Sequence, residues 1–283
     1  MDRLNTVIFP VAGMGTRMLP ATKVTPKELL PVYDTPLLQF AVEEALAAGA
    51  RRLVMVSHPA KSAIEDFFKP DEALEDKLRA KGKNAIADAL AATVLPDDVE
   101  LVFVMQPEPL GLGHAVLCGA EAALPGPVGV VLPDDLIIGA PALAEMADAF
   151  DPETMGSLVA AQSVPREKVS SYGVFDCDSS ARSAVVPARG FVEKPRPQDA
   201  PSSLAAVGRY ILSETIFDVL RRTGKGAGGE IQLTDAIANL GRINAFRYSG
   251  TRYDCGDKDG LVDATIAVQR RRSEDRHLSV AAE

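Results

Sequence analysis

The sequence predicts an α/β fold built on a doubly wound, mixed β-sheet. Short apolar runs alternate with stretches in which apolar residues recur at helical spacing, the pattern of successive β-α units. The first apolar runs are nearly continuous, so their strands should be buried on both faces. A chain of 283 residues with 47% hydrophobic residues can bury a large core. We therefore predict one domain over residues 1–283.

The N-terminal part predicts the first strands and helices of this sheet. Residues 6–11, TVIFPV, form an apolar run that predicts the first strand. A helix should follow, with Thr35 as its N-cap, Pro36 in its first turn and Gly49 after its end. Further strands are predicted at residues 53–56, 101–105, 128–132 and 158–161, and further helices at residues 59–68, 113–123 and 141–149.

Three segments extend this core pattern. Residues 69–98 are charged and rich in alanine, which predicts a helical insertion. Residues 256–276 predict a C-terminal helix that ends in a charged stretch. After residue 164 the strand patterns are shorter and less regular and predict a mixed-sheet extension, with strands at residues 173–177, 190–192, 205–212 and 245–248.

Composition argues against several classes of protein. A formal net charge of −9 disfavours nucleic-acid binding, which depends on many Lys and Arg contacts to phosphates. The cysteines Cys118, Cys177 and Cys255 lie far apart and form no C-x-x-C pair, so neither a disulfide framework nor a zinc site is indicated. No stretch approaches the ~20 apolar residues of a membrane span. We expect a cytoplasmic protein with no nucleic-acid or membrane partner.

A glycine-containing loop follows the first predicted strand. Gly13 and Gly15 would let the backbone approach a ligand closely and expose consecutive N–H groups to a phosphate chain. Arg17, Lys23 and Lys27 follow within a short distance along the chain. Two glycines alone also fit an ordinary tight turn, but with these cations the loop could hold a triphosphate.

Two other nucleotide-binding classes fit the loop poorly. The dinucleotide fingerprint of oxidoreductases needs a third glycine where this chain has Met18, and an acidic residue about 20 positions later, where only Asp34 stands before a helix. The chain also contains no G-x-x-x-x-G-K-[ST] sequence, which disfavours a P-loop NTPase.

The loop carries the pattern G-x-G-T-R-x-L-P-x-T-K followed by P-K-E-x-L-P, within residues 13–31. This pattern resembles the nucleotide loop of sugar-1-phosphate nucleotidyltransferases. Other matching segments are QPEPLGLGHAV (106–116), VVLPDDLI (130–137), SYGV (171–174), FVEKP (191–195), VGRYIL (207–212), GGEIQLTDAI (228–237) and YDCGDK (253–258). The ordered motifs extend along nearly the whole chain and imply a Rossmann-like sheet of the nucleotidyltransferase type. Their versions are most similar to those of bacterial members that use UTP and glucose 1-phosphate.

The resemblance implies a magnesium-dependent reaction. UTP and glucose 1-phosphate would give UDP-glucose and pyrophosphate by direct in-line attack, with Mg²⁺ as cofactor. Members of the family are commonly homo-oligomers, which implies a dimer or tetramer. The alternatives are an enzyme for another nucleotide or sugar 1-phosphate, and a weakly catalytic paralogue with a regulatory role. Intact cationic and acidic motif residues disfavour the paralogue.

The resemblance also assigns roles to individual residues. Arg17 and Lys27 would hold the triphosphate, Lys194 the sugar phosphate, and Asp134 and Asp254 the metal ion. The implied nucleotide-binding residues are Ala12, Gly13, Gly15, Thr16, Glu28, Gln106 and Gly111, and the implied sugar-binding residues are Gly173, Glu193 and Val207.

The chemistry of these residue types suits the implied roles. A glutamine amide such as that of Gln106 can both donate to and accept from the imide edge of uracil, and the Glu193 carboxylate can accept from sugar hydroxyls. The adjacent carboxylates of Asp134 and Asp135 need a compensating cation. Asp135 could instead cap a helix, and we interpret His114 as a helix-start residue rather than a catalyst.

Overall fold

The computed structural model describes the backbone of residues 4–281 and the side chains of residues 4–226 and 228–274. Its strands are β1 (Thr6–Pro10), β2 (Pro31–Val32), β3 (Thr35–Pro36), β4 (Arg52–Ser57), β5 (Glu100–Met105), β6 (Val128–Val131), β7 (Asp135–Ile138), β8 (Ser157–Ser163), β9 (Gly173–Cys177), β10 (Val185–Glu193), β11 (Leu204–Leu212), β12 (Ile243–Phe246) and β13 (Thr251–Asp254). Its α-helices are α1 (Leu37–Ala47), α2 (Ser62–Phe67), α3 (Glu72–Ala80), α4 (Asn84–Ala91), α5 (Leu112–Cys118), α6 (Ala142–Ala149), α7 (Ile216–Arg222), α8 (Leu233–Leu240) and α9 (Lys258–Ala281).

One mixed sheet forms the centre of the fold. Nine strands pair in the order β5-β4-β1-β6-β11-β8-β12-β10-β9. β1 is parallel to β4 and β6, and β4 is parallel to β5, whereas β11 is antiparallel to both of its neighbours β6 and β8. Helices pack on both faces, which confirms the predicted α/β class with a doubly wound mixed sheet.

The apolar run of β1 contributes to a core on each face of the sheet. Ile8 packs into the cluster that contains α5, α7 and α8. Val7 and Phe9 point the other way, into the cluster that contains α1 and α6. All three side chains are fully buried because helices cover both faces, so the run is continuous and does not alternate with polar residues.

The strand order creates a crevice at one edge of the sheet. From β1 the chain moves outward through β4 to β5 and then returns to the other side of β1 as β6. The loops that follow β1 and β6 therefore diverge at a topological switch point, where open α/β sheets bind their ligands.

Two small ribbons were not predicted from the sequence. β2 pairs with β3, and β7 pairs with β13, with Asp135 opposite Asp254. The strands of the second ribbon lie far apart in the chain and are short, so local periodicity does not reveal their pairing.

Local details also differ from the sequence prediction. Thr35 lies in β3 opposite Val32, and Pro36 takes the N-cap position, so the predicted cap was wrong. The strand predicted at residues 245–248 begins two residues earlier, at Ile243. The polar residue Asn244 interrupts the apolar pattern at the start of this strand, which is why the sequence did not predict it. Asn244 can be buried there because its amide donates to the carbonyl oxygen of Arg242 at 3.0 Å.

The segments outside the sheet are helical. Residues 69–98 contain α3 and α4, which pack against each other. On α9, Ala264 and Val268 are buried in a cluster with residues of β2 and β7, whereas Val262 and Ile266 are 57% and 43% exposed. None of the helices in the described range is long and apolar enough to cross a membrane. The assignment of the whole chain to one domain stays a prediction.

A buried ion pair links the sheet to α1. Arg209 on β11 is 1% exposed and donates two hydrogen bonds to Oε2 of Glu44, at 2.9 and 2.8 Å. The other carboxylate oxygen of Glu44 accepts from the backbone N–H of Leu143 at 2.9 Å, at the start of α6. One carboxylate therefore joins α1, α6 and β11.

We predict that Glu44→Gln lowers the free energy of unfolding by about 3 kcal/mol. This is the lower end of the range for a broken buried pair, because the amide keeps one acceptor oxygen. Urea denaturation of purified protein measures the loss. Glu43→Gln is the matched control, because Glu43 is exposed on the same helix and should change stability by about 0.5 kcal/mol or less. Equal losses in both variants would contradict the prediction.

Candidate active site

The loop after β1 folds over the stem of Lys27. Gly15 has a φ of 62°, and its carbonyl oxygen accepts from the hydroxyl of Thr22 at 2.8 Å. A Cβ atom at Gly15 would lie 3.0 Å from the Cβ of Lys27, so both the backbone conformation and the close approach favour glycine. Gly13, Thr16 and Arg17 are exposed along the loop, where a ligand can reach them.

Lys27 joins this loop to the one that follows β6. Its Nζ atom lies 2.6 Å from Oδ2 of Asp134. Burial by itself would lower the pKa of Lys27, but the carboxylates of Asp134 and Glu28 hold it above its usual value. Burial would likewise raise the pKa of Asp134, but the Lys27 ammonium holds it below its usual value. Both groups are therefore charged at neutral pH, and the pair spans the switch point.

A second, buried lysine supports the loop after β1 from inside the protein. Nζ of Lys61 donates to both carboxylate oxygens of Glu28, at 3.0 and 2.8 Å, and to the carbonyl oxygen of Val11 at 2.6 Å. All three ammonium hydrogens therefore have acceptors. Burial raises the pKa of Glu28 and lowers that of Lys61, and their mutual attraction opposes both shifts.

Glu28 is held from inside the protein. The residue is 1% exposed and its carboxylate accepts from Lys61, and the nucleotide contact that the resemblance implies for it stays a prediction. Glu28 supports the loop that carries Gly13, Gly15 and Thr16. Ala12, beside the bonded carbonyl group of Val11, begins that loop.

The β7–β13 ribbon brings distant carboxylates together. Asp254 is opposite Asp135, and the backbone N–H of Cys255 donates to the carbonyl oxygen of Asp134 at 2.7 Å. Asp134 and Asp254, the two implied metal ligands, therefore lie at one end of the same ribbon.

Arg252 compensates part of the negative charge of Asp135 and Asp254. Its Nε donates to Oδ1 of Asp135 at 2.7 Å, a second guanidinium nitrogen lies 3.3 Å from Oδ2 of Asp254, and a third lies 3.3 Å from the hydroxyl of Tyr172. Burial nevertheless raises the pKa of Asp135, with the Arg252 charge opposing the shift. Asp135 also accepts from the backbone N–H of Gly208 at 2.7 Å, so it holds the ribbon against β11 instead of capping a helix.

A cleft of about 520 Å³ opens beside these carboxylates. The implied site residues that line it are Arg17, Asp134, Gly173, Glu193, Lys194, Val207 and Asp254. Residues from the loop after β1, the ribbon, β9, β10 and β11 thus meet around one space, although they are scattered along the chain.

Glu193 and Lys194 occupy one wall of the cleft in different environments. The Glu193 carboxylate is 14% exposed, accepts from the hydroxyl of Thr234 at 2.6 Å and lies 3.2 Å from Nζ of Lys194. The Lys194 side chain is 55% exposed, and its backbone has the left-handed φ of 45°. Its N–H donates to the carbonyl oxygen of Tyr172 at 3.0 Å. A non-glycine residue in this conformation needs support from its surroundings and is often found at functional sites.

Backbone also shapes the cleft at Gly173, which pairs with Glu193, and at Val207. A Cβ atom at Gly173 would lie 2.9 Å from the ring of Phe191, so the close packing there requires glycine. Val207 lies where the pairing of β11 with β8 shifts register, and its side chain is buried. Its contribution to the cleft wall therefore comes mainly from backbone.

Gln106 and Gly111 lie next to the cleft rather than in its lining. Gln106 is 7% exposed and donates to the carbonyl oxygen of Gly111 at 3.3 Å. Gly111 has a φ of 106°, and a Cβ atom there would lie 2.7 Å from the Cβ of Glu230. The neighbouring N–H of Gly113 donates to the carbonyl oxygen of Ile231 at 2.9 Å, so the GGEIQLTDAI segment packs directly on this loop.

Sequence reasoning missed several residues of this arrangement. Thr234 lies inside the GGEIQLTDAI motif, and Arg252 is two positions before Asp254, so the motifs pointed to their neighbourhood. Lys61 and Tyr172 were not among the site residues predicted from the sequence. Lys61 stands outside every motif, and only the tertiary structure shows that its ammonium group supports the loop.

Comparisons with known proteins identify the family of this chain. The family model described as nucleotidyl transferase matches residues 6–271, and the chain belongs to this family. A curated relative, the UTP–glucose-1-phosphate uridylyltransferase of Haemophilus ducreyi, is 44% identical over 276 residues, covering 94% of this chain and 93% of the relative.

Solved structures give the same result. A UDP-glucose pyrophosphorylase complexed with UDP-glucose is 37% identical, with a TM-score of 0.83, and the match covers 95% of this chain and 99% of the other. A UTP-bound UGPase from Acinetobacter baumannii is 34% identical, with a TM-score of 0.86, and the match covers 99% of this chain and 100% of the other. The expected nucleotidyltransferase type of fold is confirmed.

We predict that Lys61→Met lowers the free energy of unfolding by about 3–5 kcal/mol, because it leaves the buried Glu28 carboxylate without its cation. The double variant Lys61→Met/Glu28→Gln should recover much of this loss, since no unpaired charge remains. Chemical denaturation measures both. Lys69→Met is the surface control: Lys69 pairs with the exposed Glu65 and Asp66, and its loss should cost under about 1 kcal/mol. A double variant no more stable than Lys61→Met would refute the charge-pair explanation.

Proposed function

We propose that this protein transfers the uridylyl group of UTP to glucose 1-phosphate, giving UDP-glucose and pyrophosphate. The observation that carries the proposal is the convergence of Arg17, Asp134, Glu193, Lys194 and Asp254 on one cleft at the switch point of the sheet. Support also comes from the names of the relatives and from the UTP and UDP-glucose complexes of the related structures.

The proposed reaction is a direct displacement. A phosphate oxygen of glucose 1-phosphate attacks the α-phosphorus of UTP, a new P–O bond forms, and the bond to the pyrophosphate leaving group breaks in line. Both substrates are anions, so the protein has to bring like charges together and neutralise the leaving group. Positioning and electrostatic stabilisation should supply most of the acceleration.

The cations of the site suit this task. Arg17 is exposed at the end of the loop and lines the cleft, where it can contact a triphosphate. Lys27 lies under the same loop and can contribute a fixed positive charge. Lys194 also lines the cleft, and its exposed ammonium group would contact the incoming sugar phosphate. We assign these three residues the catalytic roles.

The acidic pair suits a hard divalent cation. Enzymes of this family generally use a divalent metal ion, and we propose Mg²⁺. No group of three or more His, Cys, Asp or Glu side chains in the described part of the chain is arranged to hold a metal. However, Mg²⁺ commonly binds through one or two carboxylates plus substrate phosphates and water. Asp134 and Asp254 would hold the ion, which would neutralise charge on the reacting phosphates.

The remaining site residues would recognise the base and the sugar. Gln106 and Gly111 lie beside the cleft at the end of β5 and would contact uracil. The Glu193 carboxylate would accept from sugar hydroxyls, and Gly173 and the backbone at Val207 would permit close approach of the sugar. The cytoplasmic location and the homo-oligomeric state, a dimer or tetramer, stay predictions.

The proposed activity is tested directly by pyrophosphate release. Purified protein with Mg²⁺ should release pyrophosphate fastest with UTP and glucose 1-phosphate among the common nucleoside triphosphates and several sugar 1-phosphates. EDTA should abolish the release, because the pyrophosphate leaving group would lose its counter-ion. Excess Mg²⁺ should restore it. A preference for dTTP or for another sugar 1-phosphate would contradict the assignment of UTP and glucose 1-phosphate as substrates. Undiminished turnover in EDTA would contradict the proposed metal requirement.

Glu193 and Lys194 should affect different parts of one substrate. Glu193→Gln weakens the acceptor for sugar hydroxyls, so we expect relaxed discrimination between glucose 1-phosphate and galactose 1-phosphate. Lys194→Ala removes the cation for the phosphate and should lower kcat/KM for both sugars alike, by about tenfold to a hundredfold for a hydrogen bond to a charged group. Steady-state kinetics with both sugars decide. Lys168→Ala is a control for general loss of positive charge, because Lys168 also lines the cleft but has no assigned role.

Equal losses for both sugars in Glu193→Gln would contradict the sugar assignment. Unchanged kcat/KM in Lys194→Ala would contradict the phosphate assignment.

A further inference from the structure

A short chain of hydrogen bonds fixes the side chain of Gln106. Its Nε2 atom lies 3.3 Å from the carbonyl oxygen of Gly111 and 3.1 Å from Nδ1 of His114. On the other side of the imidazole ring, Nε2 of His114 lies 3.8 Å from Sγ of Cys118. His114 and Cys118 are one turn apart on α5, so the helix positions the ring.

The direction of each hydrogen bond follows from the chemistry of the groups. A carbonyl oxygen only accepts, so the amide nitrogen of Gln106 must face Gly111. An amide nitrogen only donates, so Nδ1 of His114 must accept and therefore carries no proton. The imidazole proton is then on Nε2, where it points at the Cys118 sulfur, a weak acceptor. Burial raises the pKa of the Cys118 thiol, which keeps the sulfur protonated and neutral.

This arrangement commits both amide hydrogens of Gln106 to the protein. No donor within the described residues pairs with its amide oxygen, and that oxygen is not among the buried polar atoms that lack a partner. It is therefore reachable from solvent and available to a ligand. The end of the side chain that a base can contact is an acceptor.

An acceptor at this position distinguishes two pyrimidine bases. Uracil presents a donor at N3, whereas cytosine presents an acceptor at N3. We propose that His114 is a positioning residue that sets base specificity, by holding the Gln106 amide so that its oxygen meets the N3–H of uracil. This proposal rests on the proposed function, in which Gln106 contacts the base.

The histidine makes the amide orientation harder to reverse. A flipped amide would face its oxygen toward the carbonyl oxygen of Gly111 and lose that hydrogen bond, and it could keep its contact with His114 only if the imidazole proton moved from Nε2 to Nδ1. It would also present its NH₂ group to the base, which suits cytosine. Without the imidazole only the long bond to Gly111 opposes the flip. Base choice should therefore depend on a residue that does not itself contact the base.

Two substitutions of His114 separate this role from simple packing. His114→Leu fills similar space without an acceptor, and His114→Asn places an amide oxygen where Nδ1 stood. The measurement is the ratio of kcat/KM for UTP to that for CTP, with the inhibition constant of CTP used where CTP is not a substrate. His114→Leu should lower the UTP preference by about 2- to 10-fold, the worth of one neutral hydrogen bond, and His114→Asn should retain it. Equal ratios in wild type and His114→Leu would overturn the proposal, as would equal losses in the Leu and Asn variants.

Gln106→Ala distinguishes failure of this proposal from failure of the proposed function. A changed base preference in Gln106→Ala with none in His114→Leu would refute only the positioning role. No change in either variant would remove Gln106 as the base-reading residue and with it the proposal.

A measurement on the folded protein needs no turnover. The ¹⁵N chemical shifts of the imidazole show which ring nitrogen is protonated, and the chain has only three histidines, so His114→Asn identifies the signal. We expect protonated Nε2 and unprotonated Nδ1 at neutral pH. His58 is an internal reference, because its Nδ1 accepts from the backbone N–H of Ala60 at 3.2 Å. A proton on Nδ1 of His114 would overturn the proposal even if the Leu variant failed to fold.

Discussion

The ion pair between Lys27 and Asp134 is the contact on which the geometry of the site depends. It joins the loop after β1 to the loop after β6, and the diverging loops of these two neighbouring strands form the crevice. The pair has support on each side. Lys61 and Glu28 hold the first loop from below, and the ribbon holds the second through the contact between Cys255 and the Asp134 backbone. The positions of the groups proposed to hold the phosphates and the metal ion are therefore coupled through one short contact.

Pairing with cations explains why several carboxylates can lie close together here. Three carboxylates, those of Asp134, Asp135 and Asp254, meet at one end of the ribbon. Lys27 neutralises the first, and Arg252 lies between the other two. Breaking such a pair is costly because the remaining partner keeps the desolvation penalty without the attraction. The same principle applies to Arg209 and Glu44, where a fully buried cation fixes α1 against the sheet.

The sequence predicted the parts of the fold that depend on local pattern. The parallel strands β1, β4, β5 and β6 follow from apolar runs, because helices cover both faces of the sheet. Helix α1 follows from its helical spacing of apolar residues. The β7–β13 ribbon could not be predicted in this way, since its strands are short and pair across a long separation in the chain. The family resemblance implied that Asp254 and Asp134 lie close together. Because the ribbon was not predicted, the sequence did not explain this proximity.

The candidate site shows the same division between motif and tertiary structure. Glycine loops and charged dipeptides in motifs pointed to the residues that line the cleft, whereas Lys61 and Arg252 act through contacts that no local pattern shows. Glu28 shows how the two sources of information combine. Its place in a motif implies a nucleotide contact, and the structure adds that its carboxylate is buried against a lysine 33 positions later in the chain.

The junction between β13 and α9 has a mechanical consequence. Only Cys255, Gly256 and Asp257 separate Asp254 from the first residue of a 24-residue helix, which spans roughly 36 Å at 1.5 Å per residue. The inner part of this helix is anchored by Ala264 and Val268, while Val262 and Ile266 face outward. The helix therefore begins after only three intervening residues, which leaves little chain between it and Asp254 to absorb a movement of its first turn. A shift of the first turn of α9 would therefore also displace Asp254, one of the two proposed metal ligands.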